Sequence, residues 1–399
     1  MANLWRVDGA PTRWIIASLV ALCVAGCGGE GDGDGGEAAR FEAVTYNAGL
    51  AENLVDLTPQ RLQPVADALA ETDADVVCLQ EVWPRRVESE FESVRAEAII
   101  EAASEQYPFH YLPELPNPDV STRCSTETLG AILSCLQQNC ADAADPFDCA
   151  FERCEGVLMS TDRECRRCIG SSFDLPVQEI AARCRDGEGE FFAFGGQPGV
   201  VVLSRHEILE REFHVLPGGA VQHAVLRVRV DLPDLGAAEA YCTHLTAESL
   251  YEVFPVEGTA SFEEFQGEQV EAMLQWVGRT ESTRRTLLLG DMNTGPAKGE
   301  LTGEFPANYA RFPDRGWSVP YVDRQPNPAC TFCQSNTLVG ETDDNVIDHV
   351  VLRFSGGAAF RVAGVERILD RTRPVSLDGG SVETHLSDHF GVRVVLRAK

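Results

Sequence analysis

The chain has 399 residues, which allows one large sheet enzyme or two to three smaller domains. With 44% hydrophobic and 24% charged residues, its composition is that of a globular protein with ample material for a core. The net charge of −29 at pH 7 repels nucleic acid over long range, so it disfavours a stable nucleic-acid complex unless a basic patch or a bound metal reverses the local field.

The N-terminal residues predict an export signal. Arg6 and Arg13 precede the apolar run 14–24, which suits a secretory signal and is too short to span a bilayer. The small residues before Cys27 resemble a bacterial lipobox, which would make Cys27 the lipidated first residue; a plain signal cut elsewhere is the alternative. Residues 28–40 are rich in Gly and Asp and predict a flexible tether. We therefore expect an exported protein, lipid-anchored to the envelope at the periplasmic face or cell surface, in an oxidising compartment.

An α/β pattern begins at residue 41. The alternating stretch 41–46 predicts a strand that ends in Asn47, and a helix capped by Thr58 follows. The apolar stretch 75–79 predicts a second strand with Glu81 just beyond its carboxyl end. A strand, a helix and a second strand with polar residues at both strand ends indicate an α/β fold.

A cysteine-rich insertion, residues 118–190, interrupts this pattern. It holds eight of the 14 cysteines, namely Cys124, Cys135, Cys140, Cys149, Cys154, Cys165, Cys168 and Cys184. In an exported chain such a set predicts a disulfide framework. A zinc module is the alternative, but no histidine lies between Cys124 and Cys184.

The cysteine spacing predicts a helical hairpin inside the insertion. Cys135 and Cys140 are spaced like Cys149 and Cys154, on either side of a turn at Pro146. We predict an outer bridge from Cys135 to Cys154 and an inner one from Cys140 to Cys149. Eight cysteines allow about 100 pairings, so other connectivities stay open.

The α/β pattern resumes after the insertion. Strands are predicted at 199–203, 208–216, 224–230 and 238–242, the last of which delivers His244. A lone histidine at a strand end is more often a core group than a catalyst. The spacing of apolar residues over 262–277 predicts an amphipathic helix.

The stretch TLLLGDMNTGP, residues 286–296, predicts a short buried strand that ends in a turn at Gly290. Beyond the strand, Asp291 offers an anionic oxygen ligand or proton acceptor, and Asn293 offers an amide that can hold a phosphate oxygen. The alternative is an ordinary strand-ending turn, since Gly, Asp and Asn are common turn residues.

The remaining chain is predicted to be a loop over 299–345 followed by three strands, 346–352, 359–368 and 390–396. The loop contains Cys330 and Cys333, which we interpret as a local disulfide rather than a redox pair. Asp348 lies in the first of these strands, and Asp388 and His389 immediately precede the last.

Polar residues thus lie at or near many strand ends: Asn47, Glu81, His244, Asp291, Asn293, Asp348, Asp388 and His389. A sheet protein can gather strand ends into one cleft. Carboxylates with Asn and His suit a hard divalent cation, with Mg²⁺ the natural choice beside a phosphate and Mn²⁺ or Ca²⁺ as alternatives. A histidine oriented by an aspartate could take a proton from water.

The order of these short motifs resembles the endonuclease/exonuclease/phosphatase superfamily, the group of DNase I, apurinic endonucleases, neutral sphingomyelinases and inositol-polyphosphate phosphatases. The motifs are Tyr46-Asn47, Leu79-Gln80-Glu81, Leu203-Ser204-Arg205, Thr243-His244-Leu245, Gly290-Asp291-Met292-Asn293, Ile347-Asp348-His349 and Ser387-Asp388-His389. The resemblance covers residues 41–399 apart from the insertion. It implies a four-layer α/β sandwich of two mixed β-sheets flanked by helices.

The resemblance also implies roles for these side chains. Glu81 would be the principal metal ligand, with Asn47 beside it and Asp388 as a further ligand. By the same resemblance, His389 would be the general base or a phosphate clamp, and Asp348 would orient it. Asp291 would orient or deprotonate the attacking water. Asn293 and His244 would hold the phosphate oxygens, and His244 is also a candidate to protonate the leaving group. One departure is Gln197-Pro198, where members often carry Asn or Tyr.

Together these features predict an exported, lipid-anchored, metal-dependent phosphoesterase that hydrolyses P–O bonds with water. Phosphodiesters are the expected substrates, either extracellular nucleic acid or phospholipid headgroups. The alternative from another class is a non-catalytic binding lipoprotein that keeps the scaffold and uses the insertion to hold a partner.

Overall fold

The fold is described from a computed structural model. It covers residues 39–398 except 53, 88–89, 118, 121–123, 141–145, 171, 173–174, 176, 187–188, 191, 234, 249–258 and 356–359. The predicted export signal, the predicted lipobox cysteine Cys27 and nearly all of the predicted tether lie outside the described residues.

The strands and helices follow one another along most of the chain. The strands are β1 Arg40–Asn47, β2 Val76–Gln80, β3 Arg85–Val87, β4 Glu90–Glu92, β5 Phe109–Tyr111, β6 Asp119–Val120, β7 Gly189–Glu190, β8 Val201–Ser204, β9 Ile208–Val215, β10 Ala224–Leu232, β11 Gly236–His244, β12 Arg285–Asp291, β13 Asp348–Phe354, β14 Phe360–Ile368, β15 Arg373–Leu377, β16 Gly380–Thr384 and β17 Gly391–Ala398. The α-helices are α1 Thr58–Ala70, α2 Val94–Ala102, α3 Thr126–Asn139, α4 Pro146–Met159, α5 Arg163–Gly170, α6 Val177–Asp186, α7 Phe262–Thr280, α8 Pro306–Ala310 and α9 Pro320–Asp323.

Two mixed sheets form the body of the protein, which confirms the predicted fold class. One sheet has the strand order β14-β17-β1-β2-β8-β5, and the other has the order β13-β12-β11-β10-β9. Within them β1 with β2 and β11 with β12 are parallel pairs, whereas the other neighbours are antiparallel. The parallel pairs arise because each is joined by a crossover that contains a helix, α1 or α7.

Strand alternation divides the apolar side chains between two layers. In β1, Phe41 and Ala43 pack into the core between the sheets, where Leu226 and Leu288 of the other sheet also lie. The intervening side chains Val44 and Tyr46 belong to a second cluster with residues of α1 and α2. This is the period of two expected for a strand that is buried on both faces.

The disulfide Cys78–Cys242 joins the two sheets through their shared core. Cys78 lies in β2 and Cys242 in β11, and both side chains are buried. The sequence places both cysteines in buried strands but leaves their state open, because nothing local reveals that those strands face each other.

Four helices, α3 to α6, make up most of the described part of the insertion. The predicted helical hairpin is confirmed as α3 and α4, with the disulfides Cys135–Cys154 and Cys140–Cys149. Two more disulfides, Cys124–Cys165 and Cys168–Cys184, fasten α5 and α6. With Cys78–Cys242 and the local bridge Cys330–Cys333, every cysteine of the described residues is paired. Six disulfides are typical of a protein outside the cytoplasm.

Several local expectations differ from the structure. Thr58 begins α1 but does not cap it: its hydroxyl donates to the Val55 carbonyl (2.7 Å), while Leu57 takes the cap position at φ 58°. The predicted loop 299–345 contains the short helices α8 and α9. The strands β15 and β16 form a hairpin that the sequence analysis did not predict. None of the described helices is both long and apolar enough to cross a membrane.

Candidate active site

Strand pairing brings the predicted site residues to one end of the sandwich. Asn47 and Glu81 follow the parallel strands β1 and β2, so they emerge at the same edge. In the other sheet Asp291 is paired with His244 on one side and with Asp348 on the other. The segment before β17 reaches this end too, because β17 is antiparallel to β1.

An amide of Asn47 bridges two carboxylates that belong to different sheets. Its Nδ2 donates to Glu81 Oε1 and to Asp291 Oδ2, each at 3.0 Å. Its Oδ1 accepts from the Gly49 backbone N–H at 3.0 Å, which fixes the orientation of the amide. Glu81 itself has φ 54°, a conformation rare outside glycine, and it turns the chain sharply at the end of β2.

Keeping the carboxylates of Glu81 and Asp291 charged costs free energy when no cation is bound. Burial raises the pKa of Glu81 to about 7, and the charge of Asp388 adds to the effect. Burial also raises the pKa of Asp291 to about 8, with a further contribution from Asp348. Clustered acids that lose their hydration in this way are stabilised by a positive ion.

The donor set fits a hard divalent cation. One ligand atom from each of Glu81, His244 and Asp291 lies within 4.8 Å of the others, and most of the available donors are oxygens. Asp388 lies beside them against Gly49, where a Cβ would come within 2.4 Å of Asp388 Oδ1. Gly49, with φ 55°, therefore leaves room for that carboxylate at the site.

A buried aspartate and histidine form the second half of the site. Asp348 Oδ2 lies 3.0 Å from His389 Nδ1, and Asp291 Oδ2 lies 3.7 Å from the same nitrogen. Because a carboxylate accepts, Nδ1 carries the proton, and Nε2 is the ring atom available to a substrate. Burial alone would lower the pKa of His389, but the carboxylates of Asp348, Asp291 and Asp388 raise it well above the ordinary value.

His244 and Asn293 form a neutral pair beside the carboxylates. Asn293 Nδ2 lies 3.2 Å from His244 Nε2 and donates to the Leu245 carbonyl at 2.7 Å. Asp291 Oδ1 accepts from the Asn293 backbone N–H at 2.9 Å, which stabilises the turn at φ 45°. Burial lowers the pKa of His244 well below its ordinary value, so the ring is neutral at pH 7.

Arg61 is a supporting residue that the sequence analysis missed. It is fully buried, and its guanidinium donates to the carbonyls of Ala48, Gly49 and Leu386 at 3.3, 2.5 and 2.6 Å. It thereby fastens the segments that follow Asn47 and precede Asp388 to helix α1. The sequence held one signal for this role, because Arg61 lies on the apolar face of the helix predicted after Thr58.

Gln197, at the position where the sequence departs from the family, serves another purpose. Its Oε1 accepts from the Leu115 N–H at 3.0 Å, and its Nε2 donates to the Leu115 carbonyl at 2.9 Å. Asn117 pairs in the same way with the backbone of Phe192. These two amides link the chain on either side of the insertion, so both polar atoms of the Gln197 side chain are already paired there.

Without metal, the protein should lose stability as pH rises. Glu81 has a pKa of about 7 in the folded state against 4.5 ordinarily, so its contribution is complete below pH 4.5 and is lost by about pH 7, on the order of 3 kcal/mol. His389 acts in the same direction, because its pKa is also raised.

We expect Mg²⁺ to raise Tm more at pH 8 than at pH 5, as thermal melts with Mg²⁺ or chelator would measure. The matched control is Glu81→Gln, in which both the pH dependence and the effect of Mg²⁺ should shrink. Equal stabilisation of the wild-type protein by Mg²⁺ at both pH values would contradict the expectation.

The endonuclease/exonuclease/phosphatase family model matches residues 44–389. The chain is similar in structure to sphingomyelinase C from Streptomyces griseocarneus, with TM-score 0.51, 17% identity, and 90% of this chain and 100% of that chain covered. It is similar to a mutant beta toxin from Staphylococcus aureus with bound magnesium ions, with TM-score 0.51, 12% identity and coverage of 90% and 100%.

A further similar structure is an endonuclease/exonuclease/phosphatase family protein from Bacteroides thetaiotaomicron, with TM-score 0.50, 12% identity and coverage of 91% and 99%. No match was found among curated proteins. At these identities the likeness to the solved structures concerns the fold alone.

Proposed function

The chain belongs to the endonuclease/exonuclease/phosphatase family, and we propose that it is a divalent-metal-dependent phosphodiesterase that hydrolyses P–O bonds with water. The observation that carries the proposal is the joining of two half-sites by Asp291. Its Oδ2 accepts from the Asn47 amide that also holds Glu81, and it lies 3.7 Å from the His389 ring that Asp348 orients. A purely structural acid would have no reason to contact both.

Glu81, with Asp388 as a further ligand, would hold the cation, for which we propose Mg²⁺, while Asn47 beside them holds Glu81 in place through its Nδ2. When bound, the cation supplies positive charge that polarises a phosphoryl oxygen and stabilises the leaving oxygen. Burial raises the pKa of Asp291 to about 8, so without a cation this group would be largely protonated at pH 7; a cation bound nearby would favour the carboxylate, which orients water and accepts its proton.

The remaining side chains would bind the phosphate. His389 is cationic at neutral pH because its pKa is raised, so it favours a role as clamp, with Nε2–H donating to a phosphate oxygen. Neutral His244 and the Asn293 amide would hold further phosphate oxygens. No covalent nucleophile is needed in this arrangement.

For the substrate we propose a phosphodiester that carries no net negative charge beyond the scissile phosphate. A zwitterionic phospholipid headgroup is an example, and we propose it in preference to nucleic acid. The support is the net charge of −29, since long polyanions would be repelled and few Lys or Arg are available for phosphate contacts. A lipid on Cys27 would also bring the enzyme to a membrane, which makes such headgroups reachable. Its six disulfides support export of the protein.

A substrate panel tests the proposal. Purified protein would be offered sphingomyelin, phosphatidylcholine, DNA, RNA, inositol phosphates and a generic chromogenic phosphodiester, each with Mg²⁺, Mn²⁺, Ca²⁺ or chelator. We expect turnover of the generic diester and of at least one lipid headgroup with metal, none with chelator, and little with DNA. A folded, Mg²⁺-binding protein that turns over no diester would support the non-catalytic binding lipoprotein instead.

A further inference from the structure

We propose that the disulfide-closed turn Cys330–Cys333 positions the catalytic pair Asp348 and His389, with Thr331 and Phe332 as the positioning residues. The inference rests on the proposed function, because it assigns a role to the turn in that reaction. The sequence marks this turn only as a local disulfide within a loop. In the structure its two central residues contact the backbone or ring of both members of the pair.

Thr331 connects the two chain segments that carry the pair. Its side chain is fully buried, and its Oγ1 accepts from the backbone N–H groups of Ile347 and Asp348 at 3.1 and 3.2 Å. Its carbonyl accepts from the N–H of Phe390, next to His389, at 2.8 Å. One residue therefore fixes the backbone at both ends of the Asp348–His389 hydrogen bond.

Phe332 contacts the imidazole itself. Its ring centroid lies 4.9 Å from that of His389 with a tilt of 43°, and the backbones of the two residues form an isolated β-bridge. Phe332 is held in turn by paired backbone hydrogen bonds with Asn345, at 3.1 and 3.0 Å. This packing restricts rotation of the imidazole, so that Nδ1 keeps facing Asp348.

The disulfide keeps the turn in place where the described chain provides little regular structure. Cys330 and Cys333 are both buried, and the four-residue turn pairs only through isolated bridges. Arg367 Nη1 donates to the Cys330 carbonyl at 3.0 Å, while its guanidinium lies over the Phe390 ring at 4.6 Å. Closing so short a loop removes backbone freedom that Thr331 and Phe332 would otherwise have.

Three variants separate positioning from general stabilisation. Thr331→Val keeps the size of the side chain but removes the acceptor for both N–H groups, and Thr331→Ser restores it. The double variant Cys330→Ala/Cys333→Ala opens the turn. Its control is Cys140→Ala/Cys149→Ala, which removes another short-range disulfide in the hairpin of the insertion.

We expect Thr331→Val and the opened turn each to lower kcat on the generic diester by about 10-fold or more, as is common for groups that orient a reacting side chain. KM and the Mg²⁺ concentration for half-activation should stay within about two-fold, because the contact between His389 and the phosphate strengthens mainly in the transition state and the proposed metal ligands are unchanged. Thr331→Ser and the insertion control should resemble wild type. If kcat is unchanged in Thr331→Val, or falls equally in Thr331→Ser, the proposal is wrong.

An NMR measurement that requires no enzymatic turnover distinguishes this proposal from the proposed function. In metal-free protein with ¹⁵N-labelled histidine, the ring resonances of His389 should shift in Thr331→Val and stay in place in Thr331→Ser and in the insertion control. Unmoved resonances would overturn the positioning role even if the enzyme is active. An inactive wild-type protein whose His389 resonances shift as expected would refute the function and leave the positioning intact.

Discussion

The His389→Ala variant should lose about 10³-fold or more in kcat on any phosphodiester that the wild-type protein hydrolyses. Its ring is the cationic group that Asp348 orients, 3.7 Å from Asp291, and alanine would remove both the charge and the donor. The loss should appear in kcat and in kcat/KM alike, because the interaction strengthens in the transition state. Steady-state kinetics with saturating Mg²⁺ would measure it.

His349 offers a matched control for this prediction. It is also a buried histidine that follows an aspartate, but its Nε2 lies 2.8 Å from the Thr294 carbonyl, and burial lowers its pKa to about 4. His349→Gln should therefore lower Tm and leave kcat near the wild-type value. The kcat of Asp348→Asn should lie between those of His389→Ala and His349→Gln, since the substitution leaves His389 without its anionic partner. Comparable losses in His389→Ala and His349→Gln would point to damage to the fold rather than to lost chemistry.

The two histidines also show what the sequence can and cannot reveal. Ile347-Asp348-His349 and Ser387-Asp388-His389 are similar triplets, yet the aspartate of the first serves the histidine of the second. That pairing depends on how β13 and β17 sit in different sheets, which no local pattern encodes. The strand ends themselves were predictable, because apolar runs that stop at Gly, Asp or Asn mark them directly.

Contacts within one motif were accessible from spacing, whereas contacts across the sandwich were not. The hairpin disulfides Cys135–Cys154 and Cys140–Cys149 follow from symmetrical spacing on two adjacent helices. Arg61 instead contacts Leu386, 325 residues away, and its role follows only from the packing of α1 against the site. Thr331 is similar, since the two backbone N–H groups that donate to its hydroxyl lie 16 and 17 residues away.

Cys78–Cys242 is the long-range contact with the largest expected effect on stability. The bond closes a loop with a sequence separation of 164, against 9 for Cys140–Cys149. In the chain-entropy account, removing the first should cost up to about 5 kcal/mol and removing the second about 2.5 kcal/mol. The four disulfides of the insertion lie within the longer loop and shorten it, so the first figure is an upper limit.

Urea titrations of Cys78→Ala/Cys242→Ala and Cys140→Ala/Cys149→Ala would compare the free energies of unfolding. Equal losses would contradict the account based on loop length.

A further effect is expected only for the first variant, because Cys78 lies three residues before Glu81 and Cys242 two residues before His244. The bond joins β2, which precedes the proposed metal ligand Glu81, to β11, which ends in the neutral His244. The first variant should therefore need more Mg²⁺ for half-activation, and the second should not.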